Sequence, residues 1–541
     1  MKKSISHTIV FFALITIIFT ACKKDKKVTP IPEPPVTSTA SRSDLTKDSI
    51  FLYAKEVYLW NSSLPTYEVF NPRSYNSPSS HINNLNAELF EITRYGINSA
   101  TGKPYEFNPD DSTDTKYSYI EDLVASGKLT YVPASASSVG LDGKGNDFGI
   151  GNLVAVGTNS GKVVVFFKSI FPSSPAALQG LSRGDYFDTV NGRNISNFTT
   201  TGLNNDYDFI NDALSSTKTT LTLSGTKKDN TKFDVNLTKS IYNSSPILKD
   251  SIYTVNGKKI GYLAFARFSD DKNAEAALNT VFAKFSTANV TDLVIDLRYN
   301  GGGYVSTAAH LINLIIPASA NGKMMFAETY NSTLQKLKKD NNSILKNQPL
   351  KDQQGKIQYK GGKMVTYANY LDEPYTVAEN TTLVNKEGSV ANAIKAVFIT
   401  TGNTASASEL TINSLKPYMD VKIIGETTYG KPVGFFPIRI DKFDVYISSF
   451  STTNALGEGF YFAGFVPDAI KKDDYRYDFG DVKEDCLKAA LSYITTGGYT
   501  NSSQGQTVKV NGTSVSNKSI TEKNIFNAPS FNGMIAIPKM K

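Results

Sequence analysis

Along this chain the spacing of apolar residues changes several times, and each change predicts a different kind of element. An apolar run from Ile9 to Phe19 follows Lys2 and Lys3. It is too short for a membrane-crossing helix, which needs about 20 residues, but it suits the middle of a secretory leader over 1–21. In the stretch 22–42 that follows, Pro30, Pro32, Pro34 and Pro35 favour an extended, semi-rigid tether. SDLTKDSIFLYAKEVYLW then sets Leu45, Ile50, Tyr53 or Ala54, Val57 and Trp60 at helical spacing, and NAELFEITRYG repeats the period. A small, mostly helical N-terminal domain is expected over 43–137. From 138 to 243 the period falls toward two in GKVVVFFKSIF, TTLTLSG and KFDVNLT, which predicts a mostly-β module. From 244 to 497 strands alternate with helices, the pattern of an α/β core. KIGYLAFARF reads as a buried strand, and Leu278, Val281, Phe282 and Phe285 share one face of the next helix. The lysine-rich stretch 321–392 is expected to be an insertion between core strands that could cover the site. Residues 498–541 read as a polar tail, flexible or forming a short strand pair.

Composition narrows the chemistry. Two cysteines, Cys22 and Cys486, cannot frame a disulfide scaffold or a cysteine zinc site. Only three histidines are present, and His7 falls in the leader, so no metal site is expected and imidazole bases are limited to His81 and His310. A net charge of +7, scattered along 541 residues, disfavours nucleic acid as a partner. Phe19-Thr20-Ala21-Cys22 resembles a bacterial lipobox, in which the cysteine carries the lipid.

Two constellations carry chemistry. In DLVIDLRYNGGGYVSTAAHLINLII a hydrophobic strand meets Gly301, Gly302 and Gly303 and then a helix. Consecutive glycines permit close backbone approach and aim N–H groups at an anion. No Lys-Ser/Thr pair follows, so an oxyanion hole is favoured over a phosphate loop. In AVFITTGNTASASELTINSL a strand passes through a turn into a helix near Ser406. Ser406 and Glu409 also fit a capping box, in which the serine merely caps the helix. VKIIGETTYGKPVG brings Lys431, 25 residues after Ser406, in an apolar setting that would lower its ammonium pKa toward that of a general base. His310 reads as a packed helix residue.

With DLRYNGGG, TASASE, GETTYGK and a late GFVPD in this order, the chain resembles the C-terminal processing, or tail-specific, serine proteases over about 138–495. The resemblance implies a crotonase/ClpP-like α/β core with an inserted PDZ domain, and a Ser-Lys mechanism without cofactor. By this likeness Ser406 is the nucleophile, with Ser408 its nearest rival, and Lys431 the base. Gly301 or Gly302 with the Ala407 N–H form the oxyanion hole. DFGIGNLV and SPAALQGLSRGDYFDTVNGRNI resemble a PDZ domain, so Gly149, Ile150 and Gly151 are expected to hold a peptide carboxylate beside a strand edge open to β-augmentation. The family's third residue is missing: Phe435 stands four after the lysine where some members have Gln, and Pro417 stands eleven after the serine where others have Asp. The implied partners are a protein substrate with a free C-terminus and a membrane reached through Cys22, in the periplasm or at the cell surface. The alternative is a non-catalytic peptide-binding lipoprotein that keeps the fold.

Overall fold

Strands that stack helices on both sides are apolar on both faces, and Lys258–Phe265, Asp292–Asp296 and Lys395–Thr400 are buried at nearly every position. They lie in a six-stranded sheet in the order Ile247–Val255, Lys258–Phe265, Asp292–Asp296, Lys395–Thr400, Asp420–Gly425 and Ala469–Ile470. The first two strands pair antiparallel and the rest run parallel. Asn256 and Gly257, both at positive φ, close that first hairpin in the manner of a type I′ turn. Period-two side chains divide the sheet's two faces. Leu263, Phe265, Leu293, Ile295, Ala396 and Phe398 pack with the helices Asp271–Thr287, Val305–Ile315 and Ala407–Leu415. Ile260, Tyr262, Val294, Val397 and Ile424 pack with the helix Asp485–Thr496.

This computed structural model describes residues 40–125, 139–158, 163–195, 203–215, 217–339, 341–388, 390 and 393–500, and toward the end of the chain 507–510, 513–516, 520–527 and 533–538. The expected leader, Cys22 and all but the last three residues of the tether lie outside the described residues.

Helices form at Arg42–Val57 and His81–Ile92, where helical spacing predicted them, although Trp60 lies past the first helix and Leu45 faces solvent. Ile50, Phe51, Val57, Leu85 and Leu89 belong to the same hydrophobic cluster as the central sheet. The strand Tyr119–Asp122 pairs with Phe443–Tyr446. The N-terminal segment is thus woven into the α/β core rather than holding a core of its own. The polar 321–392 stretch is likewise structured: Met324–Tyr330 is a strand between Thr381–Leu383 and Phe450–Asn454, and Leu334, Leu345 and Leu350 are fully buried.

The β-module has its own core, including Ile150, Leu153, Val165, Phe167, Leu221 and Leu223. Its sheet runs Lys232–Thr238, Thr220–Thr226, Tyr186–Val190, Val163–Ile170, Ile150–Thr158 and, at the edge, Ile520–Asn527. The strand edge expected to be open is therefore covered by a strand from the polar tail.

A buried ionic cluster joins the module to the core. Arg183 from the module donates to Asp473 at 2.5 Å, and Arg298 donates to Asp296, Asp473 and Glu484 at 2.6–3.0 Å. Burial alone would raise the Asp473 pKa, but Arg183, Lys168 and Arg298 hold it well below the usual carboxylate range. Asp473→Ala would leave the buried Arg183 guanidinium without its carboxylate and take one of three from Arg298. We expect a loss of about 3–5 kcal/mol, read from urea unfolding.

Candidate active site

The strand Asp292–Asp296 delivers the chain into a turn whose pivot is the fully buried Asn300. Asn300 Nδ2 donates to Phe265 O at 2.8 Å, and its Oδ1 accepts the Gly302 N–H at 3.0 Å. Its carbonyl accepts from Ala405 N at 3.1 Å and from Ser408 Oγ at 3.0 Å. One asparagine thus ties the glycine turn to the serine turn. Gly302 and Gly303 sit at φ +112° and +140°, and a Cβ on Gly303 would lie 2.0 Å from Phe268 O. A Cβ on Gly302 would lie 3.0 Å from Ala407 N, so only glycine lets this strand reach the start of the serine helix.

Ser406 precedes that helix at φ 62°, ψ −110°. An N-cap serine has β-region dihedrals, so this is a strained elbow rather than an ordinary cap. The outline of a capping box is present, with Ser406 N donating to Glu409 Oε2 at 2.9 Å. Ser406 Oγ, however, is buried without a hydrogen-bond partner of ordinary geometry among the described residues. Ser408 Oγ is engaged by Asn300, which separates the two candidate nucleophiles.

Glu409 is buried and accepts four donors. Thr428 Oγ1 and Gly430 N reach Oε1 at 2.5 and 2.8 Å, while Ser406 N and Lys431 N reach Oε2 at 2.9 and 2.8 Å. Burial pushes its pKa up, and these bonds pull it back. The serine elbow and the lysine loop therefore hang on one carboxylate.

The Lys431 side chain is buried, and its pKa is lowered to about 7 by burial, against the opposing pull of Glu106 and Glu409. Its Nζ donates to Tyr117 O at 3.3 Å and lies 4.6 Å from the centre of the Phe435 ring. Phe435 packs edge-on against Tyr119 and Tyr446, so an aromatic box stands at the family's Gln position. Tyr117 OH donates to Gly430 O at 2.6 Å, and Glu106 is held by Ser118 N and Oγ. Sequence reading found no chemistry in the N-terminal segment, yet that segment supplies an acceptor for the lysine, Tyr117 O, and the carboxylate of Glu106.

Other expected residues fall as follows. Gly302 N–H is already given to Asn300, so of the proposed oxyanion donors the Ala407 N–H, which has no intrahelical acceptor at its helix's first position, is better placed to receive a substrate oxygen. Gly301 offers its carbonyl to Gly533 N at 3.0 Å. His310 bonds to Asn279 and Glu387, consistent with a packed helix residue. Pro417 follows the serine helix. In the β-module, Gly149 (φ +84°) would clash with Ser174 if it carried a Cβ, and its N–H donates to Asp147 at 2.7 Å. That N–H is therefore not free to hold a carboxylate, and Ile150 is buried in the module core.

Glu409→Gln should cost about 2–3 kcal/mol, since one acceptor oxygen would be replaced by a donor facing donors. Urea unfolding measures this. Lys431→Met should stabilise the fold. Because Lys431 binds its proton less tightly folded than unfolded, stability of the parent rises between about pH 7 and 10.5. The gain from Lys431→Met should then be larger at pH 6 than at pH 10, with an upper limit of roughly 5 kcal/mol.

Comparison with known proteins bears on the same stretch. Residues 259–455 match the family described as Peptidase family S41. A carboxy-terminal-processing protease from Bartonella bacilliformis is 30% identical over 167 residues, which is 30% of this chain and 35% of that protein. The chain thus spans about a third of the curated relative it matches. A Bacteroides fragilis protein provisionally described as an S41 protease has a crystal structure that superposes with a TM-score of 0.51 at 22% identity, over 83% of this chain and 96% of that one. It supports a shared fold of mixed α/β content. The glycine strand, Ser406 and Lys431 all lie inside the stretch that matches Peptidase family S41.

Proposed function

We propose that the chain is a serine endopeptidase of the C-terminal processing type. The observation that carries this reading is a buried serine on a strained elbow, its hydroxyl without a partner of ordinary geometry among the described residues, joined through Glu409 to a lysine whose pKa lies near neutrality. Neutral Lys431 takes the proton of Ser406 as the hydroxyl adds to the scissile carbonyl. The developing oxyanion is stabilised by the Ala407 N–H. The lysine ammonium then protonates the leaving amine, and water, deprotonated by the regenerated lysine, hydrolyses the acyl-enzyme. The Tyr117 carbonyl takes the positioning role that a Gln has in some relatives, and the Phe435 ring shields the amine from water while tolerating its charged form.

The β-module is read as a PDZ domain that recruits a substrate by its tail, and Cys22 as a lipid anchor that keeps the enzyme in the cell envelope. The first is supported by the antiparallel strand seated beside Gly149–Gly151, the second by the lipobox-like residues before Cys22.

Ser406→Ala and Lys431→Met should each reduce peptide hydrolysis about a thousandfold while leaving the fold intact. The rate of the parent should rise with pH through a midpoint of about 7, as the lysine loses its proton. A serine-directed phosphonate should label the parent and not Ser406→Ala. Retained hydrolysis in either variant would overturn the assignment.

A further inference from the structure

The polar segment near the end of the chain is folded onto both peptide-binding surfaces of the molecule. Ile520–Asn527 pairs antiparallel with Ile150–Thr158, from Ile520 opposite Thr158 to Asn527 opposite Asn152. It therefore runs toward the Gly149–Gly151 loop, the direction a recruited tail takes on such an edge. Ile525 is buried in the module core, and Tyr475 OH donates to Glu522 at 2.8 Å. Gly533–Ile535 then lies parallel to the glycine strand Gly302–Tyr304. On its other side it bonds to the chain just past the lysine: Phe435 N donates to Met534 O at 3.0 Å, and Ala536 N to Phe435 O at 3.1 Å. Met534 is fully buried in the main cluster, and Ile535 packs against Phe435 and Tyr446. The Gly533 carbonyl oxygen and the Ala407 N–H lie within 3.0 Å of one point, the place a Cβ on Gly302 would take.

We propose that the glycine strand and the Phe435 strand form a backbone-reading site for an extended peptide, and that residues 533–536 of this chain are its resident occupant. This rests on the proposed peptidase reading, because it identifies the site's other ligand as substrate. A substrate strand must present its carbonyl between Ser406 and the Ala407 N–H, and Gly533–Ile535 pairs with the glycine strand that borders this space. The resident strand uses main-chain bonds on both sides and one apolar anchor, Met534. The site accordingly selects an extended peptide with a small residue at the glycine strand and an aliphatic one following it. The resting chain is self-occluded, and hydrolysis in trans requires the strand to leave.

The test uses the full chain. In a Ser406→Ala background, a fluorescent peptide of sequence 520–538 should bind the Met534→Asp chain at least tenfold more tightly than the chain with Met534, because the buried aspartate expels the resident strand. Met534→Leu should behave as the parent. With Ser406 intact, Met534→Asp should raise hydrolysis of a peptide substrate about tenfold. If Met534→Asp does not fold, Ala536→Pro removes the bond to Phe435 without altering the anchor and should give the same gain in binding. Equal peptide binding with and without the folded substitution overturns the proposal. So does Ser406-dependent loss of the chain's own residues after 533 on storage, which would make the segment a spent substrate. Binding in the Ser406→Ala background does not require catalysis. A binding difference without any hydrolysis would therefore sink the peptidase reading alone.

Discussion

The site depends on one buried carboxylate. Glu409 is three residues from Ser406 on its own helix and reaches across to the loop that carries Lys431, accepting four donors at 2.5–2.9 Å. In a low-dielectric interior an unpaired carboxylate is untenable, and only a fully donated one persists. The donors are mostly main-chain N–H groups, so satisfying the charge fixes backbone, and fixing backbone sets where the serine elbow and the lysine loop stand. Ser406 can hold a positive φ because its N–H is tied to Glu409 and the preceding Ala405 N–H to Asn300. The strain is thus borne by two hydrogen bonds, one from the serine's own N–H and one from the residue before it, and neither involves its hydroxyl.

The lysine is held by a different economy. Burial disfavours its charge, and the groups around it are chosen to limit rather than cancel that effect: a carbonyl, two aromatic faces, and carboxylates that act at a distance. A salt bridge in place of Tyr117 O would return the amine to its ordinary range and remove it as a base at neutral pH. The same arrangement costs stability whenever the amine is protonated. This is the usual exchange at a site where a titratable group must be both buried and reactive. It also explains why the N-terminal segment shares the main core. A loosely tethered helical domain could not keep Tyr117 and Glu106 fixed against the lysine loop.

How much of this was legible in the sequence follows from how local each signal is. Strand-glycine-helix and strand-turn-helix patterns occupy consecutive residues, and the glycines, Ser406 and Lys431 announced themselves there. The Ser406–Glu409 spacing was ambiguous because a capping box and a catalytic elbow use the same letters, and only the backbone dihedral separates them. Tyr117 and Glu106 were invisible, since a carbonyl carries no residue signature and the chain meets Lys431 some 300 residues later. The tail was read as flexible or as a short strand pair, and Thr507–Val510 does pair with Thr513–Ser516, but its pairing with the β-module and the glycine strand was not legible. Its polar composition suits edge strands as well as disorder, because an edge strand buries alternate side chains only, and Ile525 and Met534 are sparse anchors in a polar text.

Edge strands explain why the tail belongs where it is. A peptide-reading surface is by construction a row of unpaired N–H and C=O groups, the same feature that drives unwanted pairing between chains. The strands Ile150–Thr158 and Gly302–Tyr304 each have such a row, and Ile520–Asn527 pairs with the first and Gly533–Ile535 with the second. An occupant tethered to the same chain acts at an effective concentration on the order of millimolar. A free peptide with micromolar intrinsic affinity can compete with it only at comparable concentration, or by first displacing the strand on the β-module and so lowering the local concentration at the cleft. If the module edge recruits a tail as proposed, the two rows are coupled through the polar tail: a peptide that takes the module edge displaces Ile520–Asn527 and lowers the local concentration of Gly533–Ile535 at the glycine strand, without any change in the core sheet.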